Sequence, residues 1–210
     1  MPAPAPMRER LLDAAATVFL QQGYHQARIA DIVRRAGAAQ GTFYLYFKGK
    51  DAAFLELIDS FFGRLLNLTL ERYPAKALKG PQDVAPQLRI IWRTILAFCR
   101  AEPALTALVL REAHSLGPAH RTHMERHFQR VIDALAAYFE EAASRGIFRP
   151  APAGLAAWVV LGMIERAIHY AVSIAPDADL DQLARDLTRI ELGGFLGGRG
   201  ILDDEQDMKE

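Results

Sequence analysis

Gly23-Tyr-His-Gln-Ala-Arg-Ile-Ala-Asp-Ile-Val-Arg-Arg-Ala-Gly-Ala-Ala-Gln-Gly-Thr-Phe-Tyr-Leu-Tyr-Phe-Lys-Gly-Lys50 is the stretch whose reading decides the fold. Ile29, Ile32, Val33 and Ala36 recur at helical spacing and predict a short helix with an inward apolar face. Gly37 supplies a permissive backbone for a tight turn, and Phe43 and Phe47 pin a second short helix from behind. Two short helices hinged at a glycine, the second carrying small, aromatic and basic side chains, form the pattern of a helix-turn-helix. Such a unit presents its second helix to base edges and phosphates, so the stretch implies a DNA-reading element.

Outward from this stretch the chain remains helical. Residues 1–6 alternate proline and alanine, which cannot start a helix, and read as a flexible arm. Leu11, Leu12, Ala15, Val18 and Phe19 mark a helix from Met7 that ends at Gly23 and clamps the helix-turn-helix. After Lys50, the stripe Phe54, Leu57, Ile58, Phe61, Phe62 and Leu65 predicts a long bridging helix to about Arg72, before Pro74 and Lys79-Gly80-Pro81 break the chain. Further helices are expected from Gln82, from Pro103, over Ala119–Arg145, over Ala153–Ala175 and over Ala178–Phe195. No useful length alternates with the period of a strand, so the fold class is all-α, with about nine helices. The expected division is a DNA-binding domain over 1–50, an effector-binding and dimerisation domain over 51–200, and an acidic tail over 201–210.

The formal net charge is zero, but it is unevenly spread. Residues 1–50 carry seven Lys/Arg against three acids, while residues 201–210 carry five acids against one lysine. Positive potential is therefore concentrated on the amino-terminal lobe, as a nucleic-acid binder requires. The single cysteine, Cys99, lies at helical spacing with Leu88, Ile91, Trp92 and Ile95 and reads as core. One cysteine makes no intrachain disulfide, and no charged leader precedes an apolar run, so the expected compartment is the cytoplasm. The longest mainly apolar stretch, Leu155 to Ile164, stops at Glu165 and Arg166. That is short of the ~20 residues a bilayer needs, and no membrane contact is expected.

The run Leu12-Asp13-Ala14-Ala15 with Phe19, Gly23-Tyr24, Asp31-Ile32, Ala36-Gly37, Gly41-Thr42-Phe43-Tyr44, Tyr46-Phe47 and Lys50 resembles the TetR family of transcriptional regulators. The resemblance covers roughly the first 60 residues and departs from the usual pattern at Ala27, Ala39 and Gln40. By chemistry, Gln40 can pair bidentately with adenine, Thr42 can meet a thymine, and Gly41 allows close backbone approach. The resemblance implies that Gln40, Thr42 and Tyr44 approach bases, while Tyr44, Tyr46, Lys48 and Lys50 reach phosphates. Arg28, at the start of the first helix of the pair, can donate to either, whereas Tyr24 reads as a packing residue. The resemblance also implies a homodimer on a palindromic operator, joined by the helices over 153–175 and 178–195. The first of these is apolar nearly all round and must be covered on every side, by core or by a second subunit.

The middle helices offer an apolar, aromatic wall with a few polar atoms, the usual make-up of an organic-ligand cavity or of a filled core. Trp92, Phe98, Met124, His127, Phe128, Trp158, Glu165 and His169 are the expected contacts for a small apolar or amphipathic effector, with Glu165 and His169 supplying polar groups. His120, His123 and His127 share one helical face, but Glu125 points away from it, so a zinc-protease arrangement fails. A metal site there needs a closing ligand from elsewhere, such as Glu112 or His114, and none is assigned; no cofactor is expected. The sequence carries no nucleophile elbow and no glycine-rich phosphate loop, so it is not read as an enzyme. A ligand-responsive repressor is the leading reading. An all-helical metal-dependent hydrolase and an architectural DNA-binding dimer without effector are the alternatives.

Overall fold

A computed structural model describes residues 6–112, 118–147 and 152–193. Among them are nine α-helices and no strand. In chain order they are α1 (Met7–Gln22), α2 (Ile29–Ala36), α3 (Gln40–Tyr46), α4 (Lys50–Leu66), α5 (Val84–Ala101), α6 (Pro103–Glu112), α7 (Pro118–Ser144), α8 (Ala153–His169) and α9 (Leu180–Gly193). The wider π form replaces the expected last turns of two helices, over Asn67–Glu71 after α4 and over Tyr170–Ile174 after α8. Most of the expected arm, the acidic tail and the expected end of the last helix at Phe195 lie outside the described residues.

The amino-terminal unit is built as its apolar spacing requires. Leu11, Ala15 and Phe19 of α1 are buried against α2, α4 and α6. The turn between α2 and α3 depends on Gly37, whose φ of 63° is left-handed and ends α2 with its N–H on the carbonyls of Arg34 and Val33. Behind α3, Phe43 and Phe47 are buried and their rings sit 5.3 Å apart. Phe19, Tyr24 and Phe54 cluster with His120 of α7, with Tyr24 and His120 ring centroids 4.8 Å apart. The reading unit is thereby packed onto both the bridging helix and the body.

In the body, α5 packs against α9 and α7 against α8. The Arg100 guanidinium donates to the carbonyls of Ala171, Ala175 and Ala178, holding the end of the α8 run against α5. Cys99 is fully buried, and burial pushes its thiol pKa up to about 12 despite an opposing hydrogen bond with Thr106. The α8 run is two-faced rather than uniformly covered. Ala157, Leu161, Ile168 and Ala171 are buried, whereas Leu155, Trp158, Val159, Tyr170 and Ile174 form an exposed apolar stripe on the other side. The apolar run is longer than the stretch read from the sequence: Ala153–Ile174 spans 22 residues, and an 18-residue window within it has a mean hydropathy of 1.4, enough to cross a bilayer by length and composition alone. Counting through Glu165 and Arg166, rather than stopping at them, makes the difference.

Candidate nucleic-acid interface and effector cavity

Helix α3 turns its aromatic anchor Phe43 inward and exposes most of its other side chains. Phe43 is buried, while Tyr44, Leu45 and Tyr46 are 54%, 81% and 44% exposed. Gln40 and Gly41 are exposed in the first turn, Thr42 is half-buried, and Arg28 and Lys48 are exposed on the flanks. All eight residues expected to contact DNA are exposed or half-buried, and in seven of them nothing among the described residues claims the group expected to face a duplex; the eighth, Lys50, is half-buried with its ammonium engaged by the protein. Leu45, more exposed than Tyr44 and Tyr46 and two residues from both buried phenylalanines, was not among the expected contacts.

Lys50 is placed differently from the expected phosphate contact. Its ammonium donates to the carbonyls of Tyr24 and His25 at 2.9 Å and of Ala27 at 3.2 Å, and lies 4.8 Å from the centre of the Tyr24 ring. These bonds tie the start of α4 to the loop between α1 and α2. The next residue, Asp51, accepts a hydrogen bond from the Tyr24 hydroxyl and contacts His120 Nε2 at 3.0 Å. Burial, followed by the hydrogen bond and the charge of Asp51, raises the pKa of the Tyr24 hydroxyl well above its ordinary value.

Between α4, α5, α7 and α8 lies an apolar cavity of about 90 Å³. Phe61, Leu65, Ile91, Leu135 and Ile164 contribute to its wall, and the π turn after α4 adds Thr69 and Leu70. Of the residues expected to face an effector, Trp92, Phe128 and Glu165 line it. The other five are placed elsewhere. Phe98 and Met124 are packed in the core, Trp158 belongs to the exposed stripe, His169 is exposed, and His127 faces a second cleft. The cause is helical phase: an α8 that is apolar all round does not disclose which side meets the cavity. The polar group missed by sequence reasoning is Glu191 of α9, whose Oε2 accepts the Trp92 indole N–H at 2.8 Å inside the cavity.

Burial raises the Glu191 pKa above its ordinary value of 4.5, with the Trp92 hydrogen bond opposing the shift. A carboxyl with a raised folded-state pKa contributes stability that is fully present below the unfolded value and lost as pH rises through the folded value. Glu191→Gln keeps an acceptor for Trp92 and has no charge to bury. Urea unfolding of the variant should therefore lose less stability than the parent as pH rises from 4.5. Parallel pH profiles would refute this account of Glu191.

The second cleft lies between α4 and α7. Asp59 of α4 contacts His123 and His127 of α7, and the His127 ring stacks on Phe62 with centroids 5.0 Å apart. Burial alone would raise the Asp59 pKa, but hydrogen bonds from both histidines and their charge hold it below its ordinary value. Burial lowers the His127 pKa despite the attraction of Asp59.

These features have clear relatives. Residues 11–57 match the family described as bacterial regulatory proteins, tetR family, and residues 81–169 match the tetracyclin repressor-like C-terminal domain. The chain belongs to the TetR family. A curated relative, the uncharacterized HTH-type transcriptional regulator YdgC of Bacillus subtilis, is 38% identical over 101 residues, 48% of this chain and 51% of that protein. The fatty acid metabolism regulator protein of Bacillus subtilis is 36% identical over 72 residues, 34% of this chain and 37% of that protein. The chain thus spans about half or less of the length of these curated relatives. Among solved structures, the fatty acid degradation regulator FadR from Bacillus halodurans superposes with a TM-score of 0.77 at 24% identity, covering 92% of this chain and 98% of that one. FadR from Bacillus subtilis in complex with stearoyl-CoA gives 0.75 at 21% identity, covering 89% and 98%. At these identities the two structures show a shared fold, over about nine tenths of this chain.

Proposed function

We propose that this chain is a homodimeric, cytoplasmic transcriptional repressor that leaves a palindromic operator when a small, largely apolar effector enters the cavity. The observation that carries the proposal is the reading face of α3, exposed outward over a buried Phe43 and joined through α4 to an apolar cavity. Gln40, Gly41, Thr42, Tyr44 and Tyr46 are assigned to the groove, with Arg28 and Lys48 at its edges and no reacting groups required. Copies would pair through the exposed stripe of α8 together with α9. The effector class favoured is an acyl chain, carried free or as a thioester. The cavity wall is apolar, and the similarly folded FadR of Bacillus subtilis was solved with stearoyl-CoA. At about 90 Å³ the cavity is smaller than the ~300–1,000 Å³ of typical ligand sites, so an effector must displace side chains of its wall. Displacement at Phe61, Phe62 and Leu65 moves α4, and an effector favouring one head spacing shifts operator affinity by a coupling of typically ~1–3 kcal/mol.

The small cavity favours one second reading, an architectural dimer with no effector. Titration of the protein–operator complex with acyl-CoAs of increasing chain length separates the two, since release by none of them favours the second. The reading face is tested by Thr42→Ala. Its loss of a base contact should cost ~1–3 kcal/mol on a matched operator and little on a scrambled duplex. Equal losses on both would remove Thr42 from base reading.

A further inference from the structure

The cleft between α4 and α7 contains a cluster that neither operator nor effector binding uses. Asp59 Oδ1 lies 2.7 Å from His123 Nε2 and 2.7 Å from His127 Nε2, and the two nitrogens are 3.3 Å apart. We propose that Asp59, His123 and His127 bind one divalent transition-metal ion of the zinc class in each protomer. Two ligand atoms at ~2.0–2.1 Å from a tetrahedral ion stand ~3.3 Å apart, which is the spacing the two imidazoles already have. The carboxylate oxygen needs to withdraw by roughly 0.6 Å to admit the ion. His123 and His127, four apart on α7, form a rigid two-nitrogen chelate on one helical face. Asp59 supplies the closing ligand that the histidine spacing alone lacked, from a helix 64 residues away.

The surroundings suit a metal ligand set. His127 is buried and stacked on Phe62, so its ring plane is fixed with Nε2 held towards Asp59 and His123. The free side of the cluster opens onto a cleft of about 270 Å³ beside Gly63, with room for water to complete the coordination. Two nitrogens and one carboxylate oxygen select zinc, cobalt or nickel over magnesium or calcium. Arg126 and Arg130 oppose the ion. Arg126 Nη2 lies 3.1 Å from His123 Nδ1 and donates to it, which keeps the imidazole proton on Nε2. Coordination through Nε2 moves that proton to Nδ1 and turns the exposed Arg126 side chain away. Once seated, the ion ties α7 to the bridging helix next to the Asp51–His120 contact.

The test uses the untagged full-length protein after chelator treatment and does not depend on DNA binding. Titration with Co²⁺ should produce the visible absorption of a tetrahedral site, saturating at one ion per protomer and displaced by Zn²⁺. Asp59→Asn and His127→Gln should each weaken binding by at least about tenfold. His123→Gln gives the same reading at a less buried position if His127→Gln fails to fold. Arg126→Gln should tighten binding, and His120→Gln, which removes a histidine of the same helix face that contacts Asp51 instead, should leave it unchanged. Absence of the absorption in the parent protein would overturn the site, as would undiminished binding in folded Asp59→Asn and His123→Gln variants.

Discussion

Replacing both Leu155 and Trp158 by aspartate is expected to convert the dimer to a monomer and to weaken operator binding on the order of 10²–10⁴-fold. The two side chains are 63% and 60% exposed and point away from the packed face of α8, so the substitution does not disturb the fold. A two-fold interface presents the same stripe from each copy, so every substitution acts twice and sets like charges opposite each other. A dimer holds two reading heads on one operator, and the second contact is made at a high effective concentration; the penalty given above is the loss of that term. Sedimentation equilibrium and binding to full and half operators check it. A variant that remains dimeric would move the interface off this stripe.

The second large effect concerns two lysines that are close in sequence and different in role. Lys50→Met should lower the stability of the reading unit by about 2 kcal/mol, because it removes three charge-assisted bonds to carbonyls at the start of α4, discounted for partial exposure. Its loss of operator affinity should follow from that unfolding. Lys48→Ala should leave stability unchanged and weaken all duplexes alike, with the salt slope of log affinity reduced by ~0.9 for one lost phosphate contact. Denaturant unfolding and salt-titrated binding of the two variants separate the roles. A stable Lys50→Met protein with a reduced salt slope would return Lys50 to the phosphate backbone.

What the sequence disclosed and what it hid follow from physical range. The reading unit was legible because its determinants are local: the apolar period of α2, the left-handed Gly37 and the buried pair Phe43 and Phe47 lie within twenty residues. The bridging helix and the all-helical body were legible for the same reason. The cavity was not, because lining depends on which side of each helix faces inward, and that is set by neighbours distant in sequence. Trp158 and His169 were therefore placed inside when they lie outside, and Glu191 was passed over on a helix read only as part of a dimer seam. Lys50 shows the same limit. A lysine beside a reading helix suggests phosphate, and only the fold brings the carbonyls of Tyr24, His25 and Ala27 to its ammonium. Asp59 is the last case, a surface acid in sequence that the packing of α4 on α7 sets between two histidines.

The sealed thiol of Cys99 has a consequence for how such a regulator responds to its own abundance. Kept protonated and out of reach of oxidants, it cannot weld two copies together, so their association stays reversible and obeys mass action. At low copy number the occupied fraction of an operator then rises with the square of the cellular concentration, giving a sharper threshold than a covalently linked pair would have.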